Sequence, residues 1–128
     1  MMKFDPNVPL FLQVKEDIVN MVLSGAVQED EKLPSVREMA REYELNPNTV
    51  NSAVSELLNE NIIYKKRGIG MFVRQGVREE LRLQRTERFV KEEIEHLVEQ
   101  AGMLGLSEQE LISLISQIFR RKTNGSNV

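Results

Sequence analysis

Asn46, Asn48, Thr49, Asn51 and Ser52 crowd seven positions with short side chains that carry hydrogen-bond donors and acceptors but no charge. Groups of this size can reach the base edges of duplex DNA, whose major groove shows a distinct donor and acceptor pattern for each base pair. A solvated helix face ordinarily carries long charged residues in i, i+4 pairs instead, and Ser55 extends the uncharged run by another turn. A second cluster, Lys65-Lys66-Arg67-Gly68-Ile69-Gly70, offers cations for phosphate contact and two glycines that permit close approach. Each cluster alone has a plainer reading. The first fits a helical hairpin that happens to start polar, and the second fits a turn with solvated lysines.

The elements that would position these groups are written in the local sequence. Ser35 and Glu38 form a capping box at the start of one short helix, with Val36, Met39, Ala40 and Tyr43 on its apolar face. Glu44 and Leu45 fill a tight turn, with Leu45 turned inward. Asn46 followed by Pro47 starts a second helix, since the amide can cap and the missing proline N–H costs nothing at the first position. Val50, Ala53, Val54, Leu57 and Leu58 give that helix its buried face. Upstream, residues 1–8 read as an extended arm. A helix then runs from Pro9 to about Ser24 on a stripe of Leu10, Phe11, Val14, Ile18, Met21 and Val22, stopped by Gly25. Residues 26–34 are a polar connection with room for a very short strand near Lys32 and Leu33. Downstream, Ile62–Lys66 and Met71–Arg74 read as a two-stranded ribbon, with Gly68 and Gly70 supplying the positive φ of the turn.

Three helices followed by a basic hairpin make a winged helix-turn-helix over residues 1–76. In that arrangement the second helix of the pair enters the major groove, and the ribbon tip lies along the backbone or enters the minor groove, with Arg67 as the probe of groove width.

The chain resembles the GntR family of bacterial transcription regulators. Leu33, Pro34, Ser35, Arg37, Glu38 and Ala40 match its LPS-x-R-E-x-A pattern; Thr49 and Val50 its T-V motif; Arg67, Gly68, Gly70, Phe72 and Val73 its R-G-x-G-x-F-V motif. The likeness covers residues 9–74. The short tail and Asn46-Pro47-Asn48-Thr49-Val50 look most like the YtrA-type subfamily, whose members often repress transporter operons. The resemblance implies that Arg37 touches the duplex from the first helix of the pair. It also gives Asn46, Asn48 and Thr49 the start of the reading helix, and Arg67, Gly68 and Ile69 the wing tip. Pro47 and Asn51 stand where many members have arginine. That removes the commonest guanine contact and points Asn51 at adenine or another base edge. The full candidate DNA-binding set is Ser35, Arg37, Asn46, Asn48, Thr49, Asn51, Ser52, Lys65, Lys66, Arg67, Gly68, Ile69 and Gly70.

Residues 77–128 pose a separate problem. A long helix from Arg78 to Ala101 carries Leu83, Val90, Ile94, Leu97 and Ala101 at coiled-coil-like spacings. Gly102 and Gly105 are expected to break it. Ser107 and Glu110 cap a last helix to about Arg121, whose Leu111, Ile112, Leu114, Ile115, Ile118 and Phe119 make too wide a stripe for one neighbour. Residues 122–128 are expected to fray. Two such helices call for a second copy, which gives a C2 homodimer with Val90, Ile94, Leu97, Leu111, Ile115 and Ile118 at its interface. The fold class is thus mainly α with a small β-hairpin: a winged helix-turn-helix plus a C-terminal two-helix dimerisation hairpin.

Composition narrows the function classes. The 128 residues are 41% hydrophobic and 29% charged, with no cysteine, so disulfides and thiolate metal sites are excluded. No apolar run spans a membrane and the N-terminus lacks a signal-peptide pattern, so the expected location is the cytoplasm. Net charge is −3, but residues 62–88 hold eight Lys or Arg against three Glu, while residues 1–61 hold five against eleven Asp or Glu. A local basic patch suffices for phosphate contact. The lone His96 and the run Glu92, Glu93, Glu95 read as a solvated face, and no catalytic, metal or cofactor constellation emerges. The expected partners are an inverted-repeat DNA operator and a second copy of the chain, with any small-molecule effector unassigned. The rival reading is a dimeric helical module that uses the winged helix on a protein partner.

Overall fold

The computed structural model describes residues 3–126. Its elements run α1 (Leu10–Ser24), α2 (Val36–Tyr43), α3 (Pro47–Asn59), β1 (Ile63–Lys66), β2 (Gly70–Val73), α4 (Val77–Phe89), a π-helical turn (Val90–Ile94), α5 (Glu95–Met103) and α6 (Glu108–Ser126). Two compact units are present, one ending at Gln84 and the other beginning at Arg85.

In the first unit, apolar periodicity becomes one core. Val14, Ile18 and Val22 of α1, Met39 and Ala40 of α2, Val50, Ala53, Val54 and Leu57 of α3, and Ile63, Met71 and Val73 of the strands are buried together. Val77 and Leu81 carry that core into α4. The expected α1 stripe holds at Val14, Ile18 and Val22, with Phe11 and Met21 packed against the core; Val19 widens it, while Leu10, the first helical residue, is 39% exposed. Gly25 ends α1 in the left-handed region (φ 83°), its N–H donating to the Val22 carbonyl.

The expected arm is not extended over its described part. Val8 N–H donates to the Asp5 carbonyl in a turn, and Gln13 both accepts from Asp5 N–H (2.7 Å) and donates to the Asp5 and Val8 carbonyls. Phe4 packs against the core. One glutamine side chain thus satisfies backbone groups that an isolated arm would leave to water. Residues 1 and 2 of that expectation lie outside the described residues.

The strands pair antiparallel with Ile63 opposite Val73 and Tyr64 opposite Phe72. The short strand expected near Lys32 forms as a bridge from Lys32 to Phe72. It is reinforced by Asp30 N–H donating to the Val73 carbonyl and Leu33 N–H to the Met71 carbonyl. The free edge of β2 is thereby covered.

In the second unit, helix continues through Gly102 to Met103. The chain turns at Gly105 (φ 76°), so that residue alone is the breaker. Ser107 Oγ accepts from Glu110 N–H while the Glu110 carboxylate accepts from Ser107 N–H, completing the second capping box. The helix it opens continues past Arg121 to Ser126, five residues beyond its expected end; 127 and 128 lie outside the described residues. The π-helical turn has no counterpart in the expected long helix. In a regular α-helix Val90, Ile94, Leu97 and Ala101 would fall within about 60° of one another. One extra residue in the turn rotates the downstream helix by about 100°. The four therefore do not form one straight seam.

Candidate nucleic-acid interface

The first unit is a helix-turn-helix with a wing, and its local chemistry sets which side chains are free. Ser35 Oγ accepts from Glu38 N–H (3.1 Å) and the Glu38 carboxylate accepts from Ser35 N–H. This box fixes the first turn of α2 and leaves Arg37 exposed on it. The turn to α3 has no glycine. Glu44 itself takes the left-handed conformation (φ 57°), and Leu45 N–H donates to the Ala40 carbonyl (2.9 Å) as Leu45 packs on the core. Asn46 Oδ1 then accepts from Asn48 N–H (2.8 Å), with Pro47 at the first helical position.

Three of the candidate residues are therefore engaged in local structure: Ser35 and Asn46 as caps, and Ser52, whose Oγ donates to the Asn48 carbonyl. Asn48 and Asn51 are exposed and Thr49 is half-buried beside them. Among the described residues, the side chains of Arg37, Asn48, Asn51 and Arg67 hydrogen-bond to nothing in the chain. Val50, Ala53, Val54 and Leu57 on the opposite side are buried, so packing holds the polar side of α3 toward solvent.

The wing is built from an aromatic pair. Tyr64 and Phe72 stack with ring centroids 5.6 Å apart, and Tyr64 donates its hydroxyl proton to Asp30 (3.0 Å). Lys66 Nζ lies 4.8 Å from the Phe72 ring centre, a cation–π contact that folds this lysine back onto the strands. Lys65, Arg67, Gly68 and Ile69 are exposed, with Gly68 at φ 78°. Gly70 takes φ 146°, a conformation that side-chain-bearing residues rarely adopt; a Cβ there would lie 2.7 Å from Lys32 Cε, which places the end of that flexible side chain beside the wing. Lys32 thus joins the cations of the wing, a residue the motif reading missed. Its signal was the short strand at that position, which could only set it beside the ribbon.

Away from this face, one titratable pair ties α2 to α1. Tyr43 donates to Asp17 (2.6 Å) between α2 and α1, and burial first, then this bond, pushes its phenol far above the usual range. His96 is exposed, and among the described residues no group of His, Asp or Glu is placed to hold a metal ion.

Residues 10–73 match the family described as bacterial regulatory proteins, gntR family. The chain is 32% identical to the HTH-type transcriptional repressor YtrA of Bacillus subtilis over 92% of its own length and 92% of that protein's. The chain belongs to the GntR family. Its likeness to YtrA runs through the C-terminal helices as well as the winged helix. A GntR-family regulator from Bacteroides thetaiotaomicron superposes with a TM-score of 0.74 at 34% identity, covering 88% of this chain and 98% of that one. The AraR DNA-binding domain, solved with operator ORR3, matches 57% of this chain and 86% of its own at 27% identity and a TM-score of 0.51. GntR-family relatives of this kind are transcription regulators, not enzymes.

Proposed function

We propose that the protein is a sequence-specific transcription repressor that binds an inverted-repeat operator as a homodimer in the cytoplasm. The observation that carries this reading is the solvent-open, uncharged start of α3, with Asn48 and Asn51 free to bond outward, on the same compact unit as the exposed cationic wing tip. The AraR domain, a GntR relative, is solved on operator DNA. In the proposal, Asn48, Thr49 and Asn51 read base edges, while Arg37, Lys65 and Arg67 contact phosphates or the flanking groove. Ser35, Asn46 and Ser52 hold the geometry and offer only their remaining polar atoms. Lys66, Gly68, Ile69 and Gly70 shape the wing tip.

The second unit supports dimerisation. Among its described residues only Ala101 is buried, while Phe89, Val90, Ile94, Leu97, Val98, Ile112, Leu114, Ile118 and Phe119 are all exposed. So much apolar surface marks an interaction site, and a second copy would cover it by C2 symmetry. In that assembly Leu111 and Ile115, half-buried within one chain, complete the interface. The YtrA-type likeness extends the proposal to control of a transporter operon.

Selection from a random duplex pool tests the whole reading. An inverted repeat should be enriched at a fixed spacing. Retention of no duplex above the starting pool at low salt, with only proteins captured, would favour the protein-interaction rival.

A further inference from the structure

Glu29, in the loop after α1, and Arg78, in the first turn of α4, are 49 residues apart in sequence; Glu29 caps the start of α4 and Arg78 caps the end of α1. A Glu29 carboxylate oxygen accepts from the Arg78 backbone N–H (3.0 Å) in the first turn of α4. In return, Arg78 Nε donates to the Leu23 carbonyl (3.2 Å), one of the groups left open at the end of α1. The Arg78 guanidinium passes over Gly25, where a Cβ would lie 3.7 Å from Nη2. Beside this crossed tie the junction is hollow. A solvent-open cleft of about 650 Å³ separates Leu23, Val27 and Gln28 from Gly76, Glu79 and Arg82.

Val77 and Leu81 anchor α4 to the core, but apolar contact is non-directional. With a cleft on one flank, packing alone does not fix the tilt of the helix there. Hydrogen bonds to one backbone N–H and one backbone carbonyl add direction there, alongside Arg74, which donates to the Asn61 carbonyl and pairs with Glu80. α4 has 13 residues and is about 20 Å long, so a 10° tilt at its base moves its far end by about 3.4 Å, one base-pair step.

We infer that the crossed Glu29–Arg78 tie is a positioning device that sets the angle at which α4 leaves the winged helix, and so selects the half-site spacing a dimer accepts. The inference rests on the homodimer reading above. The Glu29 carboxyl is held below its ordinary value chiefly by the N–H groups of Arg78 and Gly76, which fits a carboxylate committed to this helix start.

The test uses full-length protein and a duplex pool in which the selected half-site is paired, inverted, at varied spacings. Wild type should enrich one spacing. Glu29→Ala and Arg78→Met should bind a single half-site within about twofold of wild type, yet accept spacings one or two base pairs away about tenfold better relative to the preferred one. Glu29→Gln, which keeps an acceptor oxygen, should fall between. It also serves as the informative variant should Glu29→Ala fail to fold. Spacing preference unchanged in all variants would overturn the inference alone, as would half-site affinity falling in step with full-site affinity. Wild type enriching only isolated half-sites would overturn the dimer reading and the inference with it.

Discussion

At the scale of single residues, side chains that build the reading surface are distinct from side chains that read. Asn46 and Asn48 are two positions apart, yet one oxygen is spent on a backbone N–H while the other side chain is open. Asn48→Ala or Asn51→Ala should therefore cost about 1–3 kcal/mol on the selected operator and little on scrambled duplexes. Titrations against both duplexes check this. Equal losses on the two would assign these residues to general affinity. Arg67→Ala should weaken both duplexes alike and reduce the slope of log affinity against log salt by about one. An unchanged slope would remove the wing tip from the phosphate contacts. Ser35 and Asn46 were legible as caps because a cap is read from residues two or three apart. That Lys66 turns back onto Phe72 depends on a partner that spacing alone does not rank.

At the scale of elements, what could be read and what could not divide by sequence distance. The α3 face, both capping boxes and the ribbon follow from periods and turn residues within one segment. The Tyr43–Asp17 bond joins residues 26 apart and was invisible to such patterns. Tyr43→Phe should destabilise the winged helix by about 1–2 kcal/mol, since it strips a part-buried carboxylate of its donor. Urea unfolding measures it, and no change in midpoint would mean water replaces the hydroxyl. The left-handed Glu44 was equally hidden, because a helix stop of that kind is normally announced by glycine. The tie at the base of α4 has a pH signature. The Glu29 carboxyl titrates below its ordinary 4.5 in the folded chain, so its contribution is present above that value and is lost as pH falls through the lower folded value. The stability difference between wild type and Glu29→Gln should therefore close in the acid range below 4.5. A difference that persists there would exclude the carboxylate as its source.

At the scale of the molecule, a reading unit with a filled core is followed along the chain by a helical unit that leaves most of its apolar residues open. Phe119, on the expected α6 stripe, is 70% exposed, and Met103 and Leu104, which belong to neither expected stripe, are 87% and 78% exposed. The π-helical turn takes Leu97 off the line that a regular helix would give it with Val90. An apolar period announces a buried stripe but cannot announce an added residue per turn. Leu97→Glu should give monomers by sedimentation while leaving the melting of the winged helix intact, because Leu97 lies outside that core. A dimer unaffected by it would move the interface to other exposed residues. The central claim is that the start of α3 and the wing tip engage one duplex together. Amide hydrogen exchange with and without the selected operator tests it most directly. Protection should rise over residues 46–52 and 65–70 at the same duplex concentration, whereas protection of one segment without the other, or of neither, would contradict the account.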